Sequence, residues 1–453
     1  MKRPNFAIVL KPFFTMNRQI LRIAIPSIIS NITVPLLGMV DMGISGHLGS
    51  TVYIGAIAIG SMIFNMLYWL FNFLRMGTGG FTSQAYGRGD KAETLRVLAR
   101  SLLVVGAVSA LLIAAQLPLV DFGLLMMKAS GEVAVQARLY FHILIWGAPA
   151  VLGLYSFTGW FLGMQDAKVP MLVAVVQNVC NILLSASLVL FLHWKVAGVA
   201  VGTLVAQYVG LLLFAGFWWR RYRADWRQVN LHQLWQGGVL ARFFSVNTDI
   251  FFRTLCIVAV QVAFTSIGSG LGVVILSANA LLLQFNTLLS YVMDGFAYAG
   301  EALGGRYYGM GDRAAFLRLT RALIRWCAGL ALCFSVAYII GGDALIRLLT
   351  NDAATIEAAR RYVVYVCLIP IVGTAGFLLD GLFIGTTATR GMLLSVFSGV
   401  VFFFFLQFFL VNLWGNDGLW VAFAGYFLVR GLVQAFYFKR ILPPMQQEAG
   451  RSG

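Results

Sequence analysis

Stretches of about twenty apolar residues alternate with short polar segments along the whole 453-residue chain. That length suits a helix crossing a bilayer, and the runs are too continuous for the alternating ten-residue strands of a membrane barrel. In chain order the pattern predicts spans at about 20–46, 52–81, 97–117, 139–162 and 170–192, and a sixth ending near Trp219. The longest polar stretch, WRRYRADWRQVNLHQLWQGG, follows and reads as a link over about 219–240. A second set of spans falls at about 243–267, 273–300, 319–341, 362–385, 392–413 and 419–438, about twelve in all. Lys2–Arg18 mixes cations with Phe6, Phe13 and Phe14 and predicts a short interfacial segment. Residues 1–20 carry no small-residue cleavage site, so the first span is expected to be retained.

Lys and Arg sort onto one side of this pattern. With the N-terminus in the cytoplasm, inner segments hold 25 of the 33 cations and outer loops 6, with Arg253 and Arg430 inside spans. Cytoplasmic loops retain Lys and Arg, so both termini are expected inside, in the cell's inner (plasma) membrane. Composition agrees. The chain is 60% hydrophobic and 11% charged, against about 25% charged for a soluble domain. The net charge of +16 is accounted for by topology and does not call for nucleic acid. The five cysteines sit in apolar stretches without metal or redox spacing, and the four histidines are scattered. No His/Asp/Glu cluster suggests an enzyme. The glycines of MGTGG at 76–80 follow no strand, so they read as a helix-end hinge or close packing rather than a phosphate loop.

The chain repeats itself. Tyr86–Ala92, YGRGDKA, matches Tyr308–Ala314, YGMGDRA, at an offset of 222. The same offset aligns Phe161-Leu162-Gly163 with Phe383-Ile384-Gly385, Gly159 with Gly381, and Tyr140 with Tyr362. Two halves, 1–222 and 223–453, are expected to form six-helix bundles. Equivalent loops lie on one side of the membrane, so the repeat is parallel, and the substrate is expected between the halves.

Ile25–Gly46 is the most unusual span. It holds Pro26 and Pro35, which disfavour straight helix, and one charge, Asp41. A carboxylate there costs a few kcal/mol and commonly faces a cavity with a function. The plainer reading is a kinked helix whose Asp41 bonds a neighbour. Burial disfavours the charged carboxylate, which would let Asp41 load a proton outside and release it inside.

Five motifs together carry a family resemblance: Pro26 with VPLLGMVD ending at Asp41, SQAYGRGD, NTDIFFR, DGFAYAGEA and LDGLFIG. With them the chain resembles MATE (multidrug and toxic compound extrusion) transporters, and more narrowly their DinF branch. The resemblance implies an all-α polytopic fold of the MOP superfamily, with two bundles around a V-shaped cavity and alternating access driven by protons or sodium. It implies amphipathic, often cationic organic substrates, and no cofactor. We expect a monomer in the lipid bilayer, exchanging substrate for protons. The alternatives are sodium coupling and a lipid-linked glycan flippase. Relatives commonly place an Asp four residues after the Asn of N-I-x-L-D; here Ser185 follows Asn181 at that spacing.

The candidate ion-coupling residues are Asp41, Asn181 and Asp380. Asp380 enters because relatives carry a coupling acid in that helix; its plainer role is a structural pair with Arg253 or Arg430. Asn178, Ser185 and Thr203 are candidate neutral ligands near Asp41, or interhelical glue. Asp249 and Arg253 stand at i, i+4 and are expected to pair, with Asp249 in the first turn of its helix. Asp294 and Glu301 share a helix face and are candidates for the cavity or for gating, Asp294 the deeper of the two; the plainer reading of Glu301 is a solvated acid near the cytoplasmic loop. Pro26 is the candidate flexing point. Some of the aromatic and Met residues, among them Phe64, Phe285 and Met293, are expected to line a cavity.

Overall fold

The computed structural model describes residues 6–46, 50–226, 233–234 and 237–444. Its regular elements are helices, with no strand among the described residues. They run α1 (Phe6–Gly46), α2 (Thr51–Leu70), α3 (Phe73–Arg88), α4 (Lys91–Ala114), α5 (Gln116–Met126), α6 (Gly131–Leu144), α7 (Ala148–Gly163), α8 (Lys168–Leu190), α9 (Lys195–Trp226), α10 (Gly237–Gly270), α11 (Val273–Met310), α12 (Arg313–Leu349), α13 (Ala353–Gly385), α14 (Thr389–Trp414) and α15 (Asn416–Tyr437). Eleven helical stretches among the described residues, counting α2–α3 and α6–α7 each as one, are long and apolar enough to cross a membrane. The 41-residue α1 precedes them.

Three local departures from the sequence pattern stand out. The proposed interfacial segment is continuous with the first span from Phe6 on, with Pro12 inside the helix as Pro26 and Pro35 are. The second span breaks at Phe71-Asn72, and Asn72 accepts a hydrogen bond from Arg75 Nε at 3.3 Å. The glycines at 76–80 therefore do not end a helix; Gly77, Gly79 and Gly80 are buried within α3 and serve close packing.

The helices group into two compact units. One runs from Ile29 to Phe243; the other joins the beginning of α1, up to Ile28, to the chain from Phe244 onward. Packing and sequence repeat thus divide the chain at different places. In the second unit the start of α1 lies on α11 and α12. Tyr307 donates to Gln19 at 2.8 Å and Trp326 to Asn17 at 3.2 Å, and Gly295 leaves room for Ile28. In the first unit Phe64, Phe141, Leu74 and Leu152 form a core with α2, α3, α6 and α7, while Trp160, Phe161 and Phe214 join α7 to α9. In the second unit Trp420 and Phe264 meet edge to face at 5.0 Å.

The repeat is structural as well as textual. After α3, Gly89 takes φ 74°, ψ 11° and Asp90 caps α4 by accepting from Glu93 N at 2.9 Å. After α11, Gly311 takes φ 71°, ψ 10° and Asp312 caps α12 by accepting from Ala315 N at 2.8 Å. Only glycine adopts that left-handed turn cheaply, and an Asp cap answers an orphan helix N–H, so G-D is what a tight inter-helix turn requires. The seams repeat too. A Cβ at Gly159 would strike the Arg75 carbonyl of α3, and one at Gly381 would strike the Ala297 carbonyl of α11. Each pair is again related by 222, so α3 rests on α7 as α11 rests on α13.

Candidate functional site

Charge is concentrated inside the second unit. Asp380, five residues before the end of α13, is 6% exposed. Its Oδ2 accepts from Arg253 of α10 and from Arg430 of α15, and its Oδ1 accepts from Gln434 Nε2. All three donors are themselves buried. Gly376 faces Arg430, with room for a Cβ at ordinary contact distance, 3.4 Å from its Nε. Phe377 lies 5.8 Å beneath the guanidinium, and the buried Tyr426 ring packs on Phe427 and Phe423 alongside. A carboxylate taken from water must regain its hydrogen bonds, and two guanidinium forks supply them. The group still carries two positive charges against one negative.

This geometry corrects the expected Asp249–Arg253 pair. Arg253 turns to Asp380, the carboxylate buried with it, while Asp249 accepts from Thr389 Oγ1 at 2.8 Å. Nor is Asp249 in a first turn: α10 begins at Gly237, three turns earlier, so the helix dipole does not favour it. Glu301 is not solvated but 1% exposed, because α13 packs over that part of α11 through Gly385. Asp294 is half-buried, near Tyr291.

The first unit brings its neutral candidates together. Asn181 Nδ2 donates to Thr203 Oγ1 at 3.0 Å, Ser185 donates to Asn181 Oδ1 at 3.5 Å, and Thr203 returns its proton to Val199 O at 2.9 Å. Asn181 and Ser185 are buried, and Gly202 makes the space that Ser185 occupies. Asn178, one turn earlier on α8, donates to the Thr33 carbonyl of α1 at 3.3 Å. Ser185 is thus a packed hydroxyl between α8 and α9. The backbone of Asp41 continues α1, but its side chain lies outside the described residues. Pro26 is buried within α1, two residues before the chain passes from one unit to the other.

Several buried polar groups escaped the sequence reading. Gln434 is one turn beyond Arg430 on α15, and an amide at i+4 from a span arginine was the available signal. Asn279 and Asn416 exchange hydrogen bonds at 2.7 and 2.9 Å, and Trp420 Nε1 donates to Asn279 as well. Thr78, Ser101 and Ser156 link α3, α4 and α7 by bonds of 2.8 and 2.6 Å. Phe64, Phe285 and Met293, by contrast, are core residues, 5%, 4% and 1% exposed. Among the described residues no group of three His, Cys, Asp or Glu could hold a metal.

Known proteins match this arrangement over nearly its full length. The MatE family model matches residues 26–186 and 250–409. DNA damage-inducible protein F of Escherichia coli (strain K12) is 38% identical over 421 residues, spanning 92% of this chain and 91% of the relative. A probable multidrug resistance protein NorM from Thermotoga maritima is 22% identical, spanning 93% and 92%. An outward-facing multidrug resistance MATE transporter of the MOP superfamily superposes with a TM-score of 0.85 at 18% identity, covering 94% of this chain and 96% of that one. A MOP superfamily transporter from Pyrococcus furiosus gives 0.83 at 18%, with the same coverage. The chain belongs to the MatE family and is a multi-pass membrane transporter of the MATE type, in its DinF-like branch.

Proposed function

We propose that the protein is a proton-coupled antiporter that exports amphipathic, cationic organic compounds across the inner membrane, with both termini in the cytoplasm. The observation that carries the reading is the Asp380 group. Sodium needs a carboxylate with free lone pairs in a dense cage of oxygens. Asp380 spends its oxygens on two arginines and an amide, and the residual positive charge repels a second cation. In the first unit Ser185 supplies a hydroxyl where an acid would complete a sodium cage. In the first unit Asp41 is left as the candidate carboxylate for coupling, and a carboxylate without a neighbouring acid suits a proton better than a metal ion. Export of drug-like compounds is supported by relatives named for it, including the NorM proteins and the multidrug export protein MepA of Staphylococcus saprophyticus. Neither a glycan flippase nor sodium coupling draws comparable support.

The test is transport of a fluorescent organic cation in proteoliposomes. An outward-acid pH gradient without sodium should drive it. Transport driven by a sodium gradient alone, at equal pH and zero membrane potential, overturns proton coupling.

A further inference from the structure

The start of α10 does not pack with the rest of that helix. Residues up to Phe243 belong to the first unit, and α10 continues in the second unit from Phe244. The Phe243 ring lies 5.7 Å from that of Phe81 on α3, and the Arg242 guanidinium lies 5.9 Å over the same ring. At the offset of 222, residues 15–21 of α1 correspond to residues 237–243 of α10. The two equivalent helices therefore both change unit: α1 begins in the second and α10 in the first.

The segment just before α10 is held by a group of charges on α4. Glu93, Arg96 and Arg100 share one face of that helix, at i, i+3 and i+7. Arg100 is 3% exposed, and all three of its guanidinium nitrogens donate. Nε donates to Leu234 O at 3.1 Å, Nη2 to Gln233 O at 3.3 Å and Nη1 to Glu93 Oε1 at 2.6 Å. Arg96 donates from Nε to Glu93 Oε2 at 2.8 Å and from Nη1 to the Gln233 side chain. A fork on two consecutive main-chain carbonyls fixes the path of the chain and not merely one side chain.

The repeat separates this group from the needs of α4 itself. Glu93 aligns with Ala315 and Arg100 with Ala322, both buried. The second half builds the same Gly-Asp turn and the same capped helix without the acid and without the buried arginine. Burying an arginine is costly, and here the cost is met where the link between the halves lies against a helix.

We propose that Arg100, oriented by Glu93, is a positioning residue for transport: it fastens the link at Gln233–Leu234 to α4, so that the start of α10 moves with the first unit. Alternating access moves two halves as bodies, and a helix shared between two units transmits that movement only while its start is held. The guanidinium touches none of the candidate substrate or ion residues. Its loss should slow turnover without weakening binding. The proposal rests on the transport reading, not on the identity of the coupling ion.

The double variant Glu93→Ala with Arg100→Ala copies the second half and removes an anion and a cation together, so no buried charge is left uncompensated. Hydrogen–deuterium exchange of the full-length protein in detergent, read by mass spectrometry, should then be about ten-fold faster over 233–243 than in the wild type, the equivalent of one charged hydrogen bond. Exchange at the start of α12 should not change. In proteoliposomes the maximum rate of export of the fluorescent cation should fall about ten-fold, while its binding, read by fluorescence quenching, stays at the wild-type affinity. Arg100→Lys keeps the charge beside Glu93 but lacks the fork that spans two carbonyls. It should reproduce both effects even if the double variant does not fold. Wild-type exchange over 233–243 in these variants overturns the clamp. Wild-type export despite fast exchange overturns its role in transport, as does a loss of binding that parallels the loss of rate. Exchange needs neither substrate nor ion gradient, so it judges the clamp separately from proton coupling.

Discussion

Replacing Asp380 by Asn should be among the most damaging single substitutions in the second unit. The wild-type group holds Arg253, Arg430 and Asp380, a net charge of +1 with both arginines bonded to one carboxylate oxygen. Asp380→Asn raises that to +2 inside a helix bundle. The hydrogen bonds themselves can be partly rebuilt, since Gln434 can turn its amide to face the new side chain, so the penalty is mainly one of charge. Leaving a buried charge uncompensated costs about 3–5 kcal/mol. Arg253→Gln moves the charge the other way, to a neutral Arg430–Asp380 pair, and should cost only about 1.5–3 kcal/mol for the lost charged hydrogen bond. The double variant returns the net charge to +1, so its loss should fall short of the summed single losses by about 1–3 kcal/mol. Thermal unfolding in detergent, followed by tryptophan fluorescence, reads all three. Asp380→Asn should lower the midpoint by on the order of 10 °C. An Asp380→Asn protein melting with the wild type, or an Arg253→Gln protein less stable than Asp380→Asn, would refute the argument.

The other predictions concern coupling and the repeat. Asp41→Asn imitates the protonated acid and should abolish proton-driven efflux in proteoliposomes while leaving substrate binding measurable by fluorescence quenching; efflux at the wild-type rate from a well-expressed variant removes Asp41 from the mechanism. Gly159→Ala and Gly381→Ala each drive a Cβ into a neighbouring helix carbonyl, and each should cost at least about 1–3 kcal/mol in the same melting assay. Asp90→Ala and Asp312→Ala each remove one cap and should cost about 1 kcal/mol apiece. Equal losses from the two cap variants are expected because the two turns share their geometry; a several-fold difference would deny the equivalence.

The apolar spans and the glycine-aspartate turn that recurs at an offset of 222 were legible in the sequence because each rests on a local rule: about twenty apolar residues per crossing, glycine then aspartate at a tight turn. The charged group was legible only in part. An acid and two arginines inside apolar spans must find partners, and that much follows from composition. Which partner each takes depends on which helices touch. Arg253 has Asp249 one turn away in sequence, yet the bundle gives it Asp380, 127 residues on. Glu301 misled for the same reason: its place near a polar loop suggests solvent, but whether a helix covers it is decided by α13, whose closeness depends on Gly381 and Gly385.

The Asp380 group also bears on how the protein is made. A nascent α10 enters the bilayer carrying Arg253, with its counter-charge still unsynthesised. An arginine at a span centre adds about 2.5–3.5 kcal/mol to insertion. The apolar length of α10 must carry that load alone until α13 arrives, and α15 brings a second arginine that depends on the same carboxylate. The second unit can therefore reach its final packing only after the last span is in the membrane. A chain halted after α14 would hold Asp380 against a single guanidinium, a neutral pair lacking Arg430 and Gln434, and would expose to quality-control proteases a bundle whose closing helix had not arrived.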